Sequence, residues 1–176
     1  MSPDEELFRG IVRDFGQRLY WHVRRFTLTH EDADDLVQDI YVKIWNALPS
    51  FRGEAQLYTW VWRIATNEAL NFVRREKVRA ALRFRSPEGE ADRLVDSDPW
   101  LDGSAAEKAL SKAVARLPDK QRQVFIMRYY DELPYEEMSR ILGTSEGALK
   151  ASYHIARGKV EAYLKNLAGE LESVLK

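Results

Sequence analysis

The fold is decided at residues 134–160, which read PYEEMSRILGTSEGALKASYHIARGKV and have the pattern of two helices separated by a sharp turn. The first helix places Met138 and Ile141 on one apolar face. Gly143 then provides a residue that readily adopts the left-handed conformation of a tight turn, and Ser145 is a favourable N-cap for the next helix. These features together predict a helix-turn-helix.

The second helix of this motif has two different faces. Apolar side chains recur at spacings of four and three and predict a buried stripe: Leu149, Tyr153, Ala156 and Val160. The opposite face carries small and polar residues: Gly147, Lys150, Ala151, His154, Ile155 and Gly158, with Arg157 beside it. Small residues let a helix backbone enter a DNA groove closely, and Lys150 and His154 can donate hydrogen bonds to base edges or phosphates. The alternative is a helical hairpin with a solvated outer face. Glycines on such a face would lower the helix propensity, and a solvated surface gains nothing from their small size.

Helical periodicity extends over most of the remaining chain. Apolar residues recur at spacings of three and four, and strict alternation nowhere lasts for the length of a strand. Helices are predicted at 4–27, 31–47, 56–80, 105–116, 119–131, 134–142 and 146–167. The fold class is therefore all-α.

Composition excludes several classes of protein. The 176 residues have a net charge of -1, with 45% hydrophobic and 31% charged residues, which is typical of a soluble globular protein. The absence of cysteine excludes disulfides, thiolate metal sites and a cysteine nucleophile. The first 25 residues carry charges throughout and no long apolar run follows, so we expect an intracellular protein without a signal peptide.

Charge is distributed unevenly and divides the chain. Residues 86–104 have a net charge of -5 and contain two prolines and two glycines, which predicts an acidic flexible linker. Two small helical domains, 1–85 and 105–176, are expected on either side of it. In the first of these, acidic residues are concentrated at 31–39 and basic residues at 74–85.

Aromatic residues and arginines alternate in the segment 51–85. Five aromatic residues lie within 22 positions among several arginines, and such a pattern suits unpaired bases, which offer both π faces and phosphates. Trp60 and Phe72 share a face with other apolar residues and are expected in the core. Phe51 lies in a loop beside Gly53 instead, and Arg63 and Asn67 lie one turn apart on another face of the following helix.

Three motifs, taken in order, resemble a known family. DADDLVQDIYVKIW (32–45), FRGEAQLYTWVWRIATNEALNFVRR (51–75) and LPDKQRQVFIMRYYDELPYEEMSRILGTSEGALKAS (117–152) are similar to the extracytoplasmic-function (ECF) sigma factors of the sigma-70 family. The resemblance covers nearly the whole chain. It implies a subunit that gives bacterial RNA polymerase its promoter specificity, with a region 2 helical bundle at 1–85, a linker at 86–104 and a region 4 helix-turn-helix at 105–176.

The resemblance assigns each function to a set of residues. It implies core-polymerase contacts by acidic and amide side chains of one helix: Asp32, Asp35, Gln38 and Asp39. It implies a minus-ten pocket for a flipped base formed by Phe51, Arg63 and Asn67, and further minus-ten contacts by Arg52, Arg74 and Arg75. It implies minus-thirty-five contacts by Ser145, Lys150, Ala151, Ser152, His154, Ile155 and Arg157. Four of these, Lys150, Ala151, His154 and Ile155, lie on the face that the helix periodicity selects independently.

The chain departs from the family at the minus-thirty-five reader. Many members have Ser-Arg after the position of Lys150 and an arginine at 155, whereas this chain has Ala151, Ser152 and Ile155. Readout by arginine is therefore reduced, and either methyl contacts to a different element or DNA shape must carry more of the discrimination.

Partners and localisation also follow from the resemblance. Core RNA polymerase and promoter DNA are the expected partners, and an anti-sigma factor is a further one. The expected location is the cytoplasm, or the inner membrane if an anti-sigma factor holds the protein there. No cofactor or metal is expected. The acidic linker either threads the polymerase cleft, as in the family, or is a solvated spacer.

Two other classes of function remain as alternatives. An enzyme would use histidine and carboxylate groups near the second helix as a metal or acid-base cluster: His22, His30, Asp34, Asp35 and Asp39. Acidic residues at a helix N-terminus are explained more simply by the helix dipole. A stand-alone helix-turn-helix regulator would account for 134–160 but not for DLVQD at 35–39 or the Phe51 loop.

Overall fold

The computed structural model describes residues 1–99 and 103–175. Its α-helices are α1 (Pro3–Thr27), α2 (His30–Ala47), α3 (Leu57–Leu82), α4 (Pro87–Ser97), α5 (Ala105–Ala115), α6 (Asp119–Phe125), α7 (Tyr135–Leu142) and α8 (Glu146–Leu175). A 3-10 turn follows α2 at Leu48–Ser50, and a π-helical segment follows α6 at Ile126–Tyr130. The described residues contain no strand, and the all-α prediction is confirmed.

Local chemistry explains where several helices begin. Ser2 and Glu5 form a reciprocal capping box at the start of α1. The hydroxyl of Thr29 accepts a hydrogen bond from the backbone N–H of Asp32 at 3.2 Å, which confirms the predicted start of α2. Ser145 caps α8 by accepting from the N–H of Ala148 at 3.2 Å.

Helices α1, α2 and α3 form an amino-terminal bundle around an apolar core. Leu19, Val23, Ile40 and Val61 are completely buried in it. Truncation of such a residue to alanine costs about 2–5 kcal/mol, through lost transfer free energy and the cavity left behind. This bundle fixes the outer faces of α2 and α3, which carry the predicted polymerase and minus-ten residues.

The carboxy-terminal helices, α5 to α8, pack on one another and also on α3. Met138 of α7 and Leu149 of α8 belong to the same apolar cluster as Trp62 and Ala65 of α3. Helix α3 is consequently buried on two sides, by α1 and α2 on one and by α6 and α7 on the other. This explains why its apolar residues do not form a single stripe.

The structure differs from the sequence prediction at the linker. Within the expected flexible segment 86–104, residues Pro87–Ser97 form α4, and residues 100–102 lie outside the described residues. The hydroxyl of Ser86 caps α4 and Pro87 suits its first turn. Ala91 and Val95 are buried, since α4 packs on α3 and α5. The acidic composition and the prolines of this segment favoured a linker, so the short apolar stripe was not predicted.

The carboxy-terminal end of the chain also differs. Helix α8 continues to Leu175 rather than ending near 167. Its last residues are exposed, with Leu171 58% accessible. Gly169 lies within α8 and does not adopt the left-handed conformation that commonly ends a helix. It therefore weakens the helix without ending it.

Candidate nucleic-acid interface

The structure exposes the face of α8 that the sequence predicts to enter the DNA groove, which is called the reading face below. Every residue of that face is exposed: Gly147, Lys150, Ala151, His154, Ile155 and Gly158. The opposite stripe is inside, with Leu149, Ala156 and Val160 buried and Tyr153 half-buried. The predicted orientation of α8 is confirmed.

The turn before α8 holds this face clear of the fold. Gly143 has a φ of 66° and donates its N–H to the carbonyl oxygen of Ser139 at 2.9 Å, which ends α7. A Cβ added at Gly147 or Gly158 would meet nothing within 4 Å. The glycines therefore leave open space along the reading face and serve no packing need within the described residues.

The edges of the reading face are held by local contacts. The ammonium group of Lys150 lies 5.7 Å from the ring centroid of Tyr135. Arg157 pairs with Glu161 one turn along, at 2.9 Å. Ser152 is half-buried, so of the predicted reader residues it is the least accessible. Lys150 and His154 remain the exposed hydrogen-bonding groups at the centre of the face.

The loop at 51–56 holds Phe51 against α3. The ring centroids of Phe51 and Trp60 lie 4.9 Å apart, and Trp60 is half-buried, in partial agreement with its expected core position. Gly53 has a φ of 72°, a conformation that favours glycine. Arg52, next to it, is exposed. The loop thus presents a half-buried aromatic ring and a cation at the start of α3.

A hollow lies between α2 and α3 beside Asn67. It is lined by Lys43, Asn46, Ala47, Ile64, Asn67 and Glu68. The carboxylate of Glu68 accepts a hydrogen bond from the ammonium group of Lys43. The hollow therefore offers an amide, a paired carboxylate and an apolar wall, groups that can read a base edge and contact its ring. Sequence reasoning missed Lys43 and Glu68 because their proximity depends on how α2 packs on α3.

Arg63 is directed away from this hollow. It donates from Nε and Nη2 to the carbonyl oxygen of Arg140, at 3.1 and 2.6 Å. The expected grouping of Phe51, Arg63 and Asn67 at one pocket is therefore not present in this conformation. Asn67 is exposed at the hollow, while Arg63 contacts the end of α7.

The basic end of α3 is partly neutralised by α6. Arg74 lies 3.6 Å from the carboxylate of Asp119, which Lys77 also contacts. Arg75 is exposed, as are Arg79 and other arginines further along the chain. Asp119 was not a predicted site residue. Its position at the N-terminus of α6 is typical of helix capping by charge and gave no signal of a contact with α3.

The acidic face of α2 is open to solvent. Asp35, Gln38 and Asp39 are exposed, Asp32 is half-buried, and the side chains of the three exposed residues make no hydrogen bond or ion pair with any described residue. Two apolar residues extend this face, Val42 at 59% and Trp45 at 40% accessibility. Their helical spacing from Asp35 and Asp39 could have identified them in the sequence.

The residues of the enzyme alternative do not come together. His22 is fully buried, with Nδ1 2.5 Å from Asp131 and Nε2 3.2 Å from the hydroxyl of Thr66, whereas His30 lies 2.5 Å from the hydroxyl of Tyr20. The aspartates of α2 point outward. Among the described residues, no three His, Cys, Asp or Glu side chains are placed to hold a metal ion.

Burial shifts the pKa of two groups at the junction of the bundles. Desolvation raises the pKa of Tyr58, which stacks on Trp62 at 4.3 Å, to about 12. Desolvation also lowers the pKa of Arg122 to about 10, although its guanidinium donates to the carbonyl oxygen of Phe26 at 2.7 Å. Both groups keep their usual protonation state near neutral pH, so their role here is in packing.

No helix in the described part of the chain has the length and apolar character to cross a membrane.

A helix-turn-helix whose second helix exposes a face of small and polar residues, packed on a helical bundle with an aromatic and basic surface, is typical of a two-part DNA-binding protein. Comparison with known families specifies it further, because residues 11–79 match sigma-70 region 2 and residues 107–160 match sigma-70 region 4. The chain belongs to the sigma-70 family, in its ECF group of alternative sigma factors.

Individual relatives agree with this assignment. The RNA polymerase sigma factor YlaC of Bacillus subtilis is 32% identical, with 84% of this chain and 86% of that protein covered. The ECF RNA polymerase sigma factor SigW of the same organism is 27% identical over 93% and 92%. Among solved structures, CnrH in complex with the cytosolic domain of CnrY is 26% identical, with a TM-score of 0.64 and coverage of 92% and 90%.

Proposed function

We propose that this sigma factor binds core RNA polymerase, reads both the minus-thirty-five and the minus-ten element, and promotes melting of promoter DNA through the residues described above. The observation that carries the proposal is the exposed face of α8, where small residues surround Lys150 and His154. Such a face suits the major groove, because the helix backbone can approach the bases closely.

The minus-thirty-five element is assigned to this face of α8. Lys150 and His154 supply donors, while Ala151 and Ile155 supply methyl groups that suit thymine. Ser145 and Ser152 lie beside them, and Arg157 suits a phosphate contact at the edge. A reader with these groups in place of arginines favours an element that differs from the purine-rich one typical of the family.

The minus-ten element is assigned to the outer surface of α3. The hollow beside Asn67 has the groups needed to hold an extruded base, and Phe51, which packs on Trp60 at the start of α3, offers a stacking surface. Arg52, Arg63, Arg74 and Arg75 are assigned to the backbone of the unpaired strand. Stacking and edge hydrogen bonds together must offset a cost of about a few kcal/mol for unpairing the base.

Core polymerase is assigned to the outer face of α2. Asp35, Gln38 and Asp39 can pair with basic groups of a partner helix, and Asp32 lies at the end of the same face. The neighbouring Val42 and Trp45 offer apolar area, which acidic side chains alone do not provide. An interface with an apolar centre and a charged rim is typical of stable protein complexes.

The domain boundaries and the setting are proposed as well. We assign 1–85 to region 2, 86–104 to the connection that contains α4, and 105–176 to region 4. The cytoplasm is the proposed location, and an anti-sigma factor is a proposed partner, supported by the complex of CnrH with a cytosolic domain of CnrY. The family consists of transcription regulators, and we propose no enzymatic activity for this chain.

The test combines core polymerase with selected promoter DNA. Transcription from a genomic library by core polymerase and this protein should identify promoters, and 2-aminopurine in their minus-ten elements should report melting. Asn67→Ala should change the base preferred at one minus-ten position, because loss of an edge hydrogen bond leaves stacking, which tolerates any base. Phe51→Ala should lower melting at every promoter. If both variants melt all promoters like the wild type, the pocket assignment is wrong.

A further inference from the structure

A second hollow, of about 250 Å³, lies between α1, the start of α3 and the π-helical segment after α6. Four aromatic side chains line it: Trp21, Tyr58, Trp62 and Tyr130. Tyr58 stacks on Trp62, and Trp21 is 48% exposed, so the hollow opens to solvent beside Trp21. Pockets for drug-sized ligands begin at roughly 300 Å³. This hollow therefore suits a smaller ligand, of one or two fused rings.

Three polar side chains stand among these rings: Gln17, Arg18 and Asp131. The guanidinium of Arg18 lies 4.9 Å from the ring centroid of Tyr58 and donates to its hydroxyl at 3.3 Å. Asp131 uses Oδ2 for its contact with His22, so its other carboxylate oxygen can accept from a further donor. The hollow thus offers both hydrogen-bond donors and acceptors to one ligand.

The indole N–H of Trp62 is the group that points to a ligand. Trp62 is 1% exposed, and its Nε1 is buried without a hydrogen-bond partner among the described residues. A buried donor without an acceptor is destabilising, and native proteins seldom contain one. Because Trp62 lines the hollow, an acceptor atom on a ligand bound there can satisfy this donor.

An irregular backbone places two residues of the hollow. The N–H of Asp131 donates to the carbonyl oxygen of Ile126 at 3.1 Å, which is the five-residue spacing of a π-helix. The extra residue per turn sets the positions of Tyr130 and Asp131 at the end of this segment. Segments of this kind are rare and occur frequently at functional sites.

We propose that this hollow binds a free purine base or nucleoside, which stacks on the aromatic side chains and is held at its edge by Asp131, Arg18 and the indole N–H of Trp62. Guanine suits these groups, because its N–H donors match the carboxylate and its carbonyl oxygen matches the guanidinium or the indole. Stacking tolerates any base, so the edge contacts determine which purine binds.

The proposed purine site is separate from the surfaces assigned to promoter DNA and core polymerase. None of the residues that line the hollow belongs to either assignment. The inference therefore does not rest on the proposed function, and each can fail without the other.

A ligand-detected NMR titration of the full chain with guanosine tests the site. Guanosine carries no phosphate, so the exposed arginines do not attract it by charge. We expect a Kd of about 0.01–1 mM, in the range for a ligand of this size. Purine riboside keeps the stacking rings but lacks the exocyclic amino group and the carbonyl oxygen of guanine, so it should bind about tenfold more weakly. Absence of guanosine binding, or equal affinity for the two nucleosides, would overturn the proposal.

Substitutions then locate the bound guanosine. Trp21→Ala removes a partly exposed stacking surface, so it should leave the core intact and weaken guanosine binding about fivefold or more. Trp45→Ala is the matched control, because Trp45 is similarly exposed, at 40%, but lies on α2 outside the hollow. Asn67→Ala changes the hollow between α2 and α3, and like Trp45→Ala it should bind guanosine as the wild type does. Equal affinity of Trp21→Ala and wild type, or a loss confined to Asn67→Ala, would overturn the assignment to this site.

Discussion

Replacing the glycines of the α8 reading face should separate stability from DNA recognition. Gly147 and Gly158 lie within α8, and a Cβ at either position meets open space. Gly158→Ala, in the helix interior, should stabilise the protein by up to about 1 kcal/mol, the difference in helix propensity between the two residues, and Gly147→Ala, in the first turn, by less. For a chain of this size, that corresponds to a rise in Tm of about 2–4 °C. Each added methyl group would also stand between the helix backbone and the DNA groove.

Gly169→Ala is the matched control for these substitutions. Gly169 is also exposed in α8 with open space at its Cβ, but it lies 11 residues beyond Gly158, about 16 Å along the helix axis. All three variants should raise Tm in thermal unfolding followed by circular dichroism, with a smaller gain near the helix end. Only Gly147→Ala and Gly158→Ala should weaken binding to a duplex that carries the selected minus-thirty-five element. If they bind the duplex like the wild type, the assigned face of α8 does not enter the groove.

Three further predictions concern other surfaces. The double substitution Asp35→Ala and Asp39→Ala should weaken binding to core polymerase, because it removes two carboxylates from the proposed interface. The helicity should not change, since both residues are exposed and alanine favours a helix. Unchanged affinity in a titration would remove this face from the interface. His154→Ala should cost about 1–3 kcal/mol and relax preference at one or two base pairs, whereas a uniform loss across all upstream sequences would indicate a phosphate contact. Hydrogen bonds from two arginines lower the pKa of Glu90 in α4 to about 2. The ionised Glu90 should therefore stabilise the fold above its ordinary pKa near 4.5, and this stabilisation should be lost as the pH falls from there towards 2. The Tm of Glu90→Gln should fall less steeply over that interval than the Tm of the wild type, and an identical fall would contradict the assignment.

The face of α8 could be predicted because its information is local. A helix of known periodicity assigns each side chain to one side, and the buried stripe of Leu149, Ala156 and Val160 was therefore predictable together with the exposed residues opposite. The acidic face of α2 was instead expected from the family resemblance, which did not include Val42 and Trp45.

Helix α4 shows where local information was insufficient. The acidic composition and prolines of 86–104 are typical of a linker, yet Ala91 and Val95 become buried against α3 and α5. Two buried apolar residues in an eleven-residue helix cannot stabilise it alone, since short helices are marginal in water. The helix forms here because neighbouring elements cover its narrow stripe.

The sequence by itself determined the helices other than α4, the turn at Gly143 and the outward face of α8, because these depend on interactions between residues a few positions apart. Only the tertiary structure decided what Arg63 and His22 contact. Their partners are 77 and 109 residues away along the chain, and no local pattern encodes such distances. Packing of region 4 on α3 brings these groups together, since Met138 and Leu149 share an apolar core with Trp62 and Ala65 of α3.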